Sequence, residues 1–253
     1  MENVLISLSG NCSTSYDLNE LTFDEIIGVD NGTAHLFERS LIPSKVLGDL
    51  DSITPVLLEK VENLNIELIR YEPDKDKTDF ELSLDSISNP EEKNIYIVGG
   101  EEGEIDHLFS IFSLIINYEF STNITWLYMD KTIVFRNDVS IFLNKGSKFS
   151  IVPLTNLKSL TISGAKWNVD KEDVEAGSSK TLRNESVDNQ ISISCSKGLF
   201  SVIYEDLGIS FQALSLSNFG SLGSPNTLSA IIFLIISDVP PSIELALDLR
   251  NKL

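Results

Sequence analysis

The sequence predicts an α/β plus β protein: a mostly parallel sheet flanked by helices over residues 1–137, an all-β module over 138–207, and a C-terminal extension over 208–253. Three observations carry this. Up to about residue 137, short apolar runs alternate with helical patterns, as strand–helix–strand crossovers require. Beyond it, strand-like runs follow one another directly, punctuated by Gly146, Gly164, Gly177 and Gly198. From about 208 the texture turns Ser- and Gly-rich and then strongly apolar.

In order, the strands are expected at Val4–Leu8, Glu25–Val29, Lys45–Leu47, Ile66–Ile69, Ile95–Val98 and from Ile124 to Tyr128. Helices are expected at Ala34–Arg39, at Pro55–Leu64, at Thr78–Ile87 with apolar Phe80, Leu82 and Leu84, and at Asp106–Tyr118. In the second module the runs are Val139–Phe142, Phe149–Pro153, Leu157–Ile162, Ile191–Ser194 and Leu199–Tyr204. A final short helix could open at Pro241, a residue suited to a first helical turn.

Composition bounds the function. With 38 acidic against 19 basic side chains, the net charge is -19. Such a surface repels nucleic-acid phosphates and argues against a nucleic-acid partner. Cys12 and Cys195 share no metal-ligand spacing and form no disulfide framework, which suits a reducing cytoplasm. The N-terminus lacks the basic start and long apolar centre of a signal peptide. The run Ala230–Ile236 breaks at Ser237-Asp238. That is well short of the roughly 20 residues a membrane-spanning helix needs, so no membrane role is expected.

In open α/β sheets, ligands bind outside the carboxyl ends of the strands. Four of the expected strand ends here carry carboxylates: Asp30-Asn31-Gly32, Gly48-Asp49-Leu50-Asp51-Ser52, Asp74–Asp79, and Gly99–His107. Glycines among them let backbone N–H groups approach a phosphate. In an extended segment Asp49 and Asp51 point to the same side, so both could meet a hard cation. Mg²⁺ is usually held by one or two carboxylates together with substrate phosphates. An acidic, metal-collecting edge beside a phosphate-approach loop is the chemistry of nucleotide phosphate transfer, in which positioning and charge neutralisation do most of the catalysis.

The series Gly-Val-Asp-Asn-Gly (28–32), Gly-Asp-Leu-Asp-Ser (48–52), Lys-Asp-Lys-Thr-Asp (75–79) and Gly-x-x-Gly-x-x-Asp-His (100–107) resembles thiamine pyrophosphokinases. Gly164-Ala-Lys-Trp-Asn168 and Asn184-Glu185 resemble that family's thiamine-side motifs, and the likeness covers roughly residues 1–205. It implies an N-terminal α/β domain, a C-terminal β-sandwich, ATP and thiamine as substrates, Mg²⁺ as cofactor, and a homodimer with thiamine at its interface. Asp49, Asp51, Asp79 and Asp106 are implied as catalytic metal ligands or their near neighbours. Asp30, Asn31, Gly32, Ser52, Lys75, Thr78, Gly100, Gly103 and His107 are implied around the nucleotide and metal. Asn184 is implied at the aminopyrimidine, and Phe200 as a stacking aromatic or a core residue. Trp167 is expected to pack.

Two positions depart from the family pattern. Glu104 stands where the family usually has Arg, and Arg183 where it has Ser before Asn184. These departures motivate a non-catalytic nucleotide or thiamine binder as one alternative. A metal-dependent glycosyltransferase using Asp49 and Asp51 is another, disfavoured by the additional carboxylates Asp79 and Asp106.

Overall fold

The computed structural model describes residues 1–101, 105–118 and 123–205. The expectations placed on Gly103, Glu104 and residues 208–253 lie outside the described residues. Six strands form a parallel sheet: β1 (Glu2–Ser7), β2 (Glu25–Val29), β3 (Lys45–Gly48), β4 (Glu67–Arg70), β5 (Lys93–Val98) and β6 (Asn123–Tyr128). Four helices connect them: α1 (Gly32–Glu38), α2 (Pro55–Asn63), α3 (Asp79–Asp85) and α4 (Ile105–Asn117). Thr54 and Thr78 cap α2 and α3, their hydroxyls accepting from the amides of Leu57 and Glu81. Such side-chain oxygens satisfy amide donors that a helix start leaves unpaired.

The inner parallel strands are largely buried on both faces, hence their apolar runs, whereas the edge strand β4 is only partly buried. Alternate residues part to opposite sides. Val4 and Ile6 of β1 pack with Phe80 and Leu84 of α3 and Ile111 of α4, whereas Leu5 packs with Leu36 of α1. Val46 of β3 joins Leu57 and Val61 of α2.

The second region is built from β7 (Lys131–Arg136), β8 (Asp138–Phe142), β9 (Lys148–Pro153), β10 (Leu157–Ser163), β11 (Val169–Val174), β12 (Asn184–Glu185), β13 (Gln190–Ser194) and β14 (Phe200–Glu205). It is not a separate sheet appended to the first. β7 pairs antiparallel with β6, so a single sheet of ten strands runs β12-β9-β14-β7-β6-β5-β1-β2-β3-β4. A second sheet, β11-β10-β13-β8, closes the sandwich over the antiparallel end of the first. The alternation of β7 serves both cores: Ile133 and Phe135 pack with the α/β cluster, and Val134 packs between the two sheets. The α/β region thus leads into a smaller β-rich region, as expected, but through a shared sheet. Among the described residues no helix is long and apolar enough to cross a membrane.

Candidate active site

In the ten-stranded sheet β1 lies between β2 and β5. The chain therefore winds outward through β2, β3 and β4, then returns to the other side of β1 with β5 and β6. Such a reversal marks where an open α/β sheet binds its ligand, at the carboxyl ends of the strands. A cleft of about 460 Å³ lies there. It is lined by Ser9 and Gly10 after β1, Asp30 after β2, Asp49 and Ser52 after β3, Lys75, Thr78 and Asp79 before and in α3, Gly100 after β5, and His107 of α4.

Asp30 sets the geometry of the next strand end. Its backbone is left-handed, at φ 45°, and its Oδ1 accepts a hydrogen bond of 2.9 Å from the Leu50 amide. The carboxyl is packed so close to Gly48 that a Cβ there would fall 1.8 Å from Asp30 Oδ1, which requires glycine at 48. Burial pushes the Asp30 carboxyl up to about 6, opposed by the Leu50 amide and reinforced by the charges of Asp79 and Asp49.

Leu50 is also left-handed, at φ 65°, with its side chain anchored among Ile53 and Leu57. A non-glycine residue held there costs on the order of 1–3 kcal/mol, a strain typical of ligand-binding turns. It also breaks the extended geometry expected for the Asp-x-Asp run. Asp49 lines the cleft, while Asp51 is exposed and does not. The Asp51 amide donates to Asp49 Oδ1 at 3.1 Å, and the neighbouring Asp49 carboxyl pushes the Asp51 carboxyl up.

Lys75 lies in the middle of the cluster. Its ammonium is 3.0 Å from Asp79 Oδ1 and 3.9 Å from Asp49 Oδ2, with only 16% of the side chain exposed. Burial would lower its pKa, but the contacts with Asp79, Asp49 and Asp30 outweigh this and raise it. The Asp79 ion pair lacks the alignment of a directed hydrogen bond, leaving Asp79 Oδ1 a buried oxygen without a hydrogen-bond partner. Lys77, by contrast, pairs with Glu81 and Asp85 along α3.

Several expected site residues stand elsewhere. Asp106 is exposed in the first turn of α4, its Oδ1 accepting from the His107 amide, and does not line the cleft. Gly32 is buried against β1, where a Cβ would meet Ser7 O at 2.3 Å, so it serves close packing. Asn31 precedes α1 without a side-chain capping bond. Among the described residues no three Asp, Glu, His or Cys side chains form a group able to hold a metal by themselves. The set Asp49 and Asp79 still fits Mg²⁺, which takes one or two carboxylates and completes its shell with water and phosphate oxygens. The Asp79 oxygen, buried without a hydrogen bond and already facing the Lys75 ammonium, is the observation that favours a cation there.

The Glu-Glu-Gly-Glu run after β5 reads in sequence as a flexible acidic loop, yet Glu101 is fully buried. Its carboxylate accepts from the amide and hydroxyl of Ser13 and from the Met129 amide at 2.9 Å. Backbone bonds between Asn11 and Glu101, and from the Gly100 amide to Ser9 O, zip the loops after β1 and β5 together. Glu101 thereby holds the Ser9-Gly10 wall of the cleft.

In the β region, Asn184 is buried and committed to the loop opposite. Its Nδ2 donates to Trp167 O at 2.9 Å, and its Oδ1 accepts from the amides of Trp167 and Glu185. Phe200 is fully buried in the sandwich core, so of its two expected roles the structure displays packing. Trp167 does not pack as expected. It is 54% exposed, with the Lys166 ammonium 5.0 Å from its ring centre.

This architecture has known counterparts. Residues 21–127 match the family profile described as "Thiamin pyrophosphokinase, catalytic domain", and residues 132–200 the one described as "Thiamin pyrophosphokinase, vitamin B1 binding domain". The thiamine pyrophosphokinase of Bacillus subtilis (strain 168) is 29% identical over 187 residues, spanning 70% of this chain and 85% of the relative. Thiamine pyrophosphokinase 1 of Oryza sativa subsp. japonica is 30% identical over 156 residues, 53% of this chain and 56% of the relative. The crystal structure of thiamine pyrophosphokinase from Bacillus subtilis superposes with a TM-score of 0.71 at 25% identity, covering 82% of this chain and all of that one. The thiamin pyrophosphokinase from Candida albicans shares the fold at a TM-score of 0.66 and 18% identity, covering 81% and 90% of the two chains.

Proposed function

The chain belongs to the thiamine pyrophosphokinase family, and from that premise we propose that it transfers the pyrophosphoryl group of ATP to the hydroxyl of thiamine, giving thiamine diphosphate and AMP. The observation that carries this reading is the convergence of Asp30, Asp49, Lys75 and Asp79 on one cleft at the switch point of the sheet. Asp49 and Asp79 are the side chains that would hold Mg²⁺. When bound, Mg²⁺ neutralises phosphate charge and orients the groups for in-line displacement.

The protein's own residues supply the rest. Gly10 and Gly100 line the cleft without side chains, which lets a polyphosphate approach the main chain. Asp30 fixes the Gly48–Asp51 turn through the Leu50 amide and so aims Asp49. Lys75, on a flexible stem, is placed to meet phosphate oxygens. Ser52, Thr78 and His107 line the same cleft, with the Thr78 hydroxyl also capping α3. The oxygen of thiamine attacks the β-phosphorus, the bond to the bridging oxygen of AMP breaks, and the hydroxyl proton leaves to solvent.

Thiamine is assigned to the β-rich region, with exposed Trp167 as the aromatic surface available to it. The same region exposes Leu182 and Val187, which supports a homodimer that closes over this surface. Free Cys12 and Cys195 support a cytoplasmic setting. Incubation with ATP, Mg²⁺ and thiamine, followed by chromatography, is expected to yield AMP and thiamine diphosphate in equal amounts. Binding of both substrates without AMP formation would replace transfer with a binding role.

A further inference from the structure

We propose that Lys75 is a tethered counter-ion: its ammonium holds the place of the divalent cation between Asp49 and Asp79 and moves to the phosphate chain when the metal and nucleotide arrive. The inference rests on the reading that Asp49 and Asp79 hold the metal.

Three carboxylates, Asp30, Asp49 and Asp79, all act electrostatically on the ammonium of the largely buried Lys75 side chain, which lies in the cleft 3.0 Å from Asp79 and 3.9 Å from Asp49. Carboxylates gathered in this way repel one another, and a cation among them removes much of that cost. The other lysine lining the cleft, Lys77, is held by Glu81 and Asp85. Lys75 is therefore the compensating charge. It stands 3.0 Å from Asp79 Oδ1, among the described residues the one carboxylate oxygen in the cleft that is buried without a hydrogen bond.

An ammonium at that distance occupies the coordination position a metal would take on Asp79, so the two cations exclude each other. Metal binding without nucleotide must displace Lys75 into the cleft with no partner. In the presence of a polyphosphate, the displaced ammonium gains phosphate oxygens. Metal and nucleotide are thus coupled through Lys75, and by linkage each strengthens the other to the same degree. The protein would then discriminate against binding the metal alone.

The test is Mn²⁺ binding followed by the electron paramagnetic resonance of the free ion, first without nucleotide, then with a non-hydrolysable ATP analogue. Lys75→Met is expected to bind Mn²⁺ roughly tenfold or more tightly than the parent without nucleotide, because a like charge has left the site. The analogue should then strengthen Mn²⁺ binding less in Lys75→Met than in the parent. Lys75→Arg, which keeps the charge, should stay near the parent in the nucleotide-free measurement. Unchanged nucleotide-free Mn²⁺ affinity in Lys75→Met would overturn the proposal. Melting curves in chelator monitor folding, with Lys75→Gln as a second neutral variant. If neither neutral variant melts cooperatively, Lys75 is a structural ion pair and the proposal falls. Parent protein that forms no AMP from ATP and thiamine, yet shows this Mn²⁺ pattern, would remove the transfer reading and leave the counter-ion standing.

Discussion

Two groups of carboxylates lie at strand ends of the same sheet, and they are built on opposite plans. Glu101, after β5, is buried with donors from Ser13 and Met129 aimed at its oxygens. Asp49 and Asp79 crowd with Asp30 around one lysine, and an oxygen of Asp79 is buried without a hydrogen bond. A carboxylate supplied with donors holds structure together. Carboxylates that repel one another and share one ammonium, with an oxygen of Asp79 left without a hydrogen bond, are poised for a cation from outside. The difference separates scaffold from site without reference to any relative.

The sharpest way to break this distinction is to exchange charge for shape in the crowded group. Asp79→Asn is expected to lower AMP formation by about 10²-fold or more, a loss typical of a strong electrostatic contact. The same variant should melt no lower than the parent in chelator, since it relieves like-charge repulsion. Activity within a factor of about three of the parent would remove Asp79 from the site.

Glu101→Ala should show the reverse pattern. Leaving several buried donors unpaired costs about 3 kcal/mol. For a chain of this size that corresponds to a melting temperature lower by roughly 6–12 °C. A loss of only a degree or so would mean that water replaces the carboxylate at no cost.

Asp30 allows a test by pH. Its carboxyl titrates near 6 in the folded protein, above the ordinary carboxylate value. The folded state therefore holds more protons than the unfolded state between about pH 4 and 6, and stability falls as pH rises through that window. Melting in chelator should show this decline in the parent and less of it in Asp30→Asn, whose side-chain oxygen still accepts from Leu50. Equal slopes would show that Asp30 is solvated.

The smallest effect is expected from Trp167→Ala. With more than half its surface exposed, its removal should shift the melting temperature by about a degree or two at most. If thiamine meets this face, the same variant should raise the half-saturating thiamine concentration while leaving that for ATP unchanged.

Much of this was legible in the sequence, and the failures have physical causes. The inner parallel strands were visible because burial on both faces leaves continuous apolar runs, as in Val4–Ile6. The convergence of Asp30, Asp49 and Asp79 followed from their positions after consecutive strands. Glu101 escaped because Glu-Glu-Gly-Glu reads as a solvated loop, and its donors at Ser13 and Met129 are distant in sequence. The exposure of Asp51 was not foreseen because nothing in the sequence announces a left-handed Leu50. β11, Val169–Val174, carries four exposed polar or charged residues between two buried valines and has no strand-like alternation. β7 was missed as well, because its apolar run lies next to the expected boundary and serves both cores.

The place of β14 has a consequence for biosynthesis. This strand fills the gap between β7 and β9, and β9 in turn carries β12. A nascent chain that has reached Ser194 already contains every strand of the smaller sheet, yet β7 still presents an unpaired edge. Such edges recruit other chains. Until Phe200–Glu205 is made and inserted, the partly made protein carries an open template on the strand that joins its halves, so translational pausing in this interval is when it is most exposed to misassembly.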